Sequence, residues 1–201
     1  MENPHVTRIT EAIVTLLRTF YPLAKRSLID LESRERVKAL GAFTDLRDVF
    51  DHYYLALKSA YGDDIDPDKE RTIADNLASA SEHMRRAAIE PFETALEDLL
   101  AKVIDKGKTN FVLYRLGLSR VPTVQIKEAL KEARNTLSNV RQKKGQMNQL
   151  PEILGQLKAQ YETLDDLEKN LPARRTLWIV LGFGSAILLG VLIGRVLSIF
   201  V

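Results

Sequence analysis

The sequence predicts an all-α protein: a helical bundle, a helical or coiled-coil stalk, and one C-terminal transmembrane helix. Three observations carry this. Apolar residues recur at three- and four-residue steps without the alternation of half-buried strands. The 201 residues contain only 10 Gly and 7 Pro, too few to cut the chain into many short elements. Finally, "TLWIVLGFGSAILLGVLIG", Thr176 to Gly194, contains no charged residue, and about 19 residues at about 1.5 Å each roughly span a bilayer core.

The first helix is expected from Val6 to Phe20, with Ile9, Ile13, Leu16, Leu17 and Phe20 as its stripe and "YPLAK" breaking or bending it. A second should run from Arg26 to Tyr61, where "YGDDIDPDKE" ends it. A third is expected to start at an Asp66 cap with Pro67 in the first turn and Asp68 and Glu70 at the positive end of the helix dipole. It should reach Asp105 with Ile73, Leu77, Met84, Ala88, Leu96, Leu99 and Val103 inward, kinked at Pro91. A loop through "DKGKTN" and "RLGLSRVP" follows. Beyond Pro122, Ile126, Leu130, Ala133, Leu137, Val140 and Met147 keep coiled-coil spacing, as do Leu150, Leu154, Leu157, Tyr161, Leu164 and Leu171. Such seams suit a projecting stalk or a hairpin folded onto the first domain. The expected divisions are 1–107 for the bundle, 108–172 for loop and stalk, and 173–201 for the anchor.

Composition excludes several functions. Cysteine is absent, so no disulfide framework, thiolate metal site or Cys nucleophile exists. A net charge of +2 does not point to nucleic acid by itself. His5, His52 and His83 are the only imidazoles, and no carboxylates stand at ligand spacing, so neither a metal nor a cofactor is expected. "KGKT" lacks the glycine and the preceding strand of a phosphate-binding loop.

The N-terminus is not expected to act as a signal peptide, since Arg8, Glu11 and Arg18 interrupt its apolar residues. Arg174 and Arg175, with Lys169 a turn earlier, outnumber Arg195 beyond the span. The positive-inside bias therefore predicts a tail-anchored, single-pass protein of the inner cell membrane with its N-terminal domain in the cytoplasm. Gly182, Ala186, Gly190 and Gly194 recur every four residues, and such a small-residue line favours self-association in lipid. Arg195 is expected to snorkel to the far interface or, in an oligomer, to face a pore.

The stretch that invites chemistry is "LRDVFDHYY", Leu46 to Tyr54. At 100° per residue, Phe43, Leu46, Phe50, Tyr53 and Leu57 fall on one expected core face. Arg47, Asp48 and His52 then point outward. Asp48 and His52, four apart, are expected to pair, with the carboxylate orienting the imidazole. A guanidinium, an imidazole and a carboxylate suit general acid–base cleavage of a phosphodiester.

"RDVFDHYY" resembles the Arg–polar–three residues–His motif of HEPN domains, all-helical modules of prokaryotic toxins, antiphage effectors and CRISPR ribonucleases. The likeness includes the acid directly after Arg47 and Tyr54 two places after His52. It implies a metal-independent endoribonuclease whose Arg and His meet across a dimer. In that case Arg47 binds the scissile phosphate, His52 moves the proton, and Asp48 and Tyr54 support them. The membrane anchor makes the chain similar in outline to the HEPN-like membrane accessory protein of type VI-B CRISPR systems.

Three functions are therefore expected from the sequence: a membrane-tethered HEPN-like defence or toxin protein acting on RNA or with an RNA-guided effector, an oligomeric membrane effector or pore, and a tail-anchored adaptor. Elsewhere, His83, Arg85 and Arg86 form a turn from which Arg86 is able to join a basic patch. Arg134, Arg141, Lys143 and Lys144 make a second basic stretch suited to lipid headgroups or RNA.

Overall fold

The computed structural model describes residues 4–35, 40–61, 68–143 and 147–197, and these contain helices and turns but no strand. Helix α1 (Pro4–Thr15) runs through a π-helical turn (Leu16–Phe20) into α2 (Tyr21–Glu35). Of the break or bend expected at "YPLAK", the break is absent, and the helix passes into it through the π turn. Pro22 lacks an N–H and its ring crowds the preceding turn; the wider π turn, in which Tyr21 N–H donates to the Leu16 carbonyl, makes room for it. Next come α3 (Leu40–Tyr61) and α4 (Lys69–Arg115), the latter unbroken through Pro91 and through 107. The Asp66 cap and Pro67 lie outside the described residues.

Two compact units form, Met1–Glu97 with Asn135–Tyr161, and Asp98–Arg134 with Glu162–Val201. In the first, Ile9, Ala56, Ala60 and Ile73 make one core cluster, and Leu28, Ala42 and Ala87 another. The face that α3 buries is thus largely alanine, with Val49 and Tyr53, so the neighbouring helices approach closely. Phe43 and Phe50, expected inside, stay about half exposed, at 51% and 55%. The helical period was legible there but its phase was not, because the larger residues lie on the outer side. On α4, Ile73, Met84, Ala88, Leu96, Leu99 and Val103 are buried as expected, and Leu77 is partly buried.

Helices α5 (Thr123–Gln142) and α6 (Leu150–Asn170), joined through a short 3-10 turn at Met147–Gln149, bury the expected stripes, except that Leu130 is only partly covered and the Met147 side chain lies outside the description. Within the first unit, Arg141 pairs with Glu97 and stands 3.7 Å from Glu93, and Tyr161 meets Phe92 edge-on. Of the two arrangements left open by the seams, these contacts are those of the hairpin folded back along α4.

In the second unit "DKGKTN" is helical rather than a loop. Gly107 faces α5, and a Cβ there would stand 3.4 Å from Ile126 Cγ2, in ordinary contact. Thr109 and Asn110 are buried, and Asn110 Nδ2 donates to the Val121 carbonyl at 2.9 Å while Ser119 Oγ donates to Asn110 Oδ1. The helix ends instead at Gly117, whose φ of 70° suits a residue without Cβ. Leu118 N–H donates to the Leu113 carbonyl and Gly117 N–H to Tyr114, a Schellman cap. Lys106 Nζ reaches both the carbonyl and the carboxylate of Glu168, tying α4 to the end of α6.

Helix α7 (Arg174–Leu197) carries the apolar run. It is long and apolar enough to cross a membrane: its most apolar 18 residues average a hydropathy of 2.3 and none is buried. Gly182 and Gly190 have open space where a side chain would stand. The side chains at Gly194 and Arg195 fall outside the described part of the helix.

Candidate functional site

Helices α3 and α4 pack antiparallel, with Asp45 against His83 and His52 against Asn76. Both pairs of numbers sum to 128, so seven residues forward on one helix correspond to seven back on the other. That register gathers one polar cluster on the flank of an otherwise apolar contact.

At its base is Asp45, 7% exposed on the alanine face of α3. One carboxylate oxygen takes His83 Nδ1 at 2.8 Å and Arg86 Nη2 at 2.8 Å. Arg86 Nη2 also stands 2.6 Å from His83 Nδ1. That ring nitrogen either donates to the carboxylate or accepts from the guanidinium, so the state of His83 is tied to where Arg86 sits. The His83 ring stacks on His52, with centroids 5.2 Å apart and planes at 29°.

His52 Nδ1 lies 2.9 Å from Asn76 Oδ1, and Asn76 Nδ2 donates to the Thr72 carbonyl at 2.8 Å. The second bond fixes the first. With its NH2 on a carbonyl, Asn76 presents oxygen to the imidazole, so Nδ1 carries the hydrogen and the neutral ring keeps its lone pair on Nε2. The orienting partner of His52 is therefore Asn76 rather than Asp48.

Asp48 turns to its neighbour: Arg47 Nη2 donates to Oδ1 at 2.7 Å and Nε to the same oxygen at 3.1 Å. Arg47 also stands 3.9 Å from Asp51, with its side chain 68% exposed. The Arg47 hydrogen bond holds the Asp48 carboxyl below its ordinary value against burial, the next largest effect, and the charges of Arg47, His83 and His52 add to the lowering. The same bond raises Arg47. Tyr53, on the buried side, is pushed up to about 12 by desolvation, whereas Tyr54 is 64% exposed.

Of the four residues expected to act, Arg47, Asp48 and His52 border the cluster, and Tyr54 makes no described contact with it. Sequence reasoning missed Asp45 and Asn76 and gave His83 and Arg86 only a surface role. Arg85, grouped with them, is instead buried against Glu82. The available signal was an acid at position 45, on the helix face otherwise made of Ala42, Val49 and Ala56.

Ligand atoms of Asp45, Asp48 and His83 lie within 4.8 Å of one another, a metal-like grouping invisible to linear spacing. Arg86 already occupies Asp45 and Arg47 occupies Asp48. Both carboxylates therefore already have cationic partners that offset their charge.

No family model, curated protein or solved structure matches this chain.

Proposed function

We propose that this chain is a membrane-tethered HEPN-like protein of defence or toxin type that cleaves RNA, without a metal, at a composite Arg/His site in an oligomer. The observation that carries this reading is the stacked His52–His83 pair, with Arg47 and Arg86 held beside it through Asp48 and Asp45. In this reading His52 Nε2 takes the proton from the ribose 2′-hydroxyl, which attacks the adjacent phosphorus. Arg47 and Arg86 offset the charge gathering on the phosphate oxygens, and the second imidazole, when protonated, delivers a proton to the departing 5′ oxygen. Asn76 is the positioning residue that keeps Nε2 available.

The test uses the full chain in detergent, a labelled single-stranded RNA and a chelator. Cleavage leaving a 2′,3′-cyclic phosphate is expected, with His52→Ala or Arg47→Ala lowering the rate by about a hundredfold or more. An inert wild-type protein, or variants as active as wild type, would refute the reading.

A second reading, an oligomeric membrane effector, is favoured by one observation: the line Gly182, Ala186 and Gly190 faces open space on α7. It requires the span and not the imidazoles.

A further inference from the structure

The turn that ends α4 buries Thr109 and Asn110 beside Leu113 and Ile126, yet leaves a group of large apolar side chains outside. Tyr114 is 44% exposed, Leu116 56%, Leu118 58% and Val124 63%. Scattered exposed leucines are ordinary on protein surfaces, but four large apolar side chains around one capped turn are a patch. Within the segment itself the charge has one sign, while Glu128, Glu132 and Asp166 line the groove behind it. From Phe111 to Lys127 the chain holds Arg115, Arg120 and Lys127 and no acid. Arg115 lies over the Phe111 ring, 4.7 Å from its centroid, as an apolar stem with a cationic head.

The position of this turn says what covers it. Leu118, Ser119, Arg120 and Val121 line the same groove as Leu171 and Pro172, two residues before α7 begins at Arg174. Lys106 ties α4 to Glu168, and α4 continues nine residues past that tie, about 13 Å at 1.5 Å per residue. The apolar turn thus stands next to the segment through which the chain passes into its apolar helix.

We infer that the turn between α4 and α5 is a second membrane-contacting element, inserting Leu116 and Leu118 at the boundary of headgroups and acyl chains while Arg115 and Arg120 meet anionic lipid phosphates. This rests on α7 crossing the bilayer. Apolar side chains flanked by cations on an acid-free segment are the composition of interfacial anchors, which bury their apolar face about 5–10 Å deep. The consequence is a two-point attachment that fixes the orientation of the second unit on the membrane, where a single span would let it swivel.

Because the chain has no cysteine, single probes are clean. The full-length variants Leu118→Cys, Leu116→Cys, Ala101→Cys and Ile187→Cys carry an environment-sensitive fluorophore in vesicles of phosphatidylcholine and phosphatidylglycerol, with and without doxyl-labelled lipid. At 118 and 116, emission is expected to shift blue and to be quenched more by a doxyl group near the headgroup than by a deep one. Position 187 should be quenched and 101 should not. If 187 is quenched while 116 and 118 read like 101, the inference fails and the span stands. If 187 also escapes quenching, both fail. A blue shift at 118 without lipid quenching would mean that protein covers the turn, and would overturn the inference as well.

Discussion

Asp45 is the residue on which the polar cluster depends, because a carboxylate this covered is tolerable only while His83 and Arg86 remain bonded to it. Asp45→Asn keeps the shape and removes the charge. Losing charge-assisted hydrogen bonds at a covered site is expected to cost about 2 kcal/mol, measurable as a lower urea midpoint with an unchanged slope. Asp48 gives a pH signature. Its folded carboxyl lies below the ordinary value of about 3.9, so its contribution to stability is present above that value and lost as pH falls through the lower folded one. Since Arg47 is mostly exposed, the effect on stability is small, and the direct measurement is the carboxyl titration by NMR. The midpoint should lie below the ordinary value and move back toward it in Arg47→Ala. A midpoint unmoved by that substitution would contradict the pairing. Arg47, Asp48 and His52 were legible in sequence because helix geometry alone relates residues one to five apart. Asn76, His83 and Asp45 were not, because they join only through the register of α3 on α4, which no local pattern encodes.

At the scale of elements, the sequence reading failed where local composition opposed packing. "DKGKTN" has the residues of a loop, yet α4 runs through it, with Gly107 facing Ile126 and Asn110 holding the turn beyond. The cost of a mid-helix glycine is about 0.5–1 kcal/mol relative to alanine, and the Cβ of Gly107→Ala would meet Ile126 at 3.4 Å, an ordinary contact. That substitution is therefore expected to stabilise by a few tenths to about 1 kcal/mol, whereas Gly107→Leu should destabilise by pressing α5 away; denaturant unfolding measures both. Equal effects of the two would show that the close approach is unimportant. The α5 and α6 stripes were legible because long, regular apolar spacing admits only one buried face. Whether that face met α4 or another chain was not legible, since both partners satisfy the same spacing.

For the whole molecule, the exposure of α7 makes lipid-phase association testable apart from any chemistry. Gly190→Leu fills the open line and is expected to lower self-association in micelles, read by energy transfer between labelled copies, while Leu188→Ala, which adds no bulk, should not. If Gly190→Leu associates like wild type, the small residues are not the contact. The antiparallel register of α3 and α4 has a temporal consequence as well. Its described polar groups lie between Asp45 and Arg86, and 89 residues separate Arg86 from the start of the apolar run at Thr176. Contacts between neighbours in sequence close early, with little loop entropy. During synthesis this helical pair can therefore close while the ribosome is still making the remainder, so its imidazoles meet in water before the hydrophobic helix has been translated.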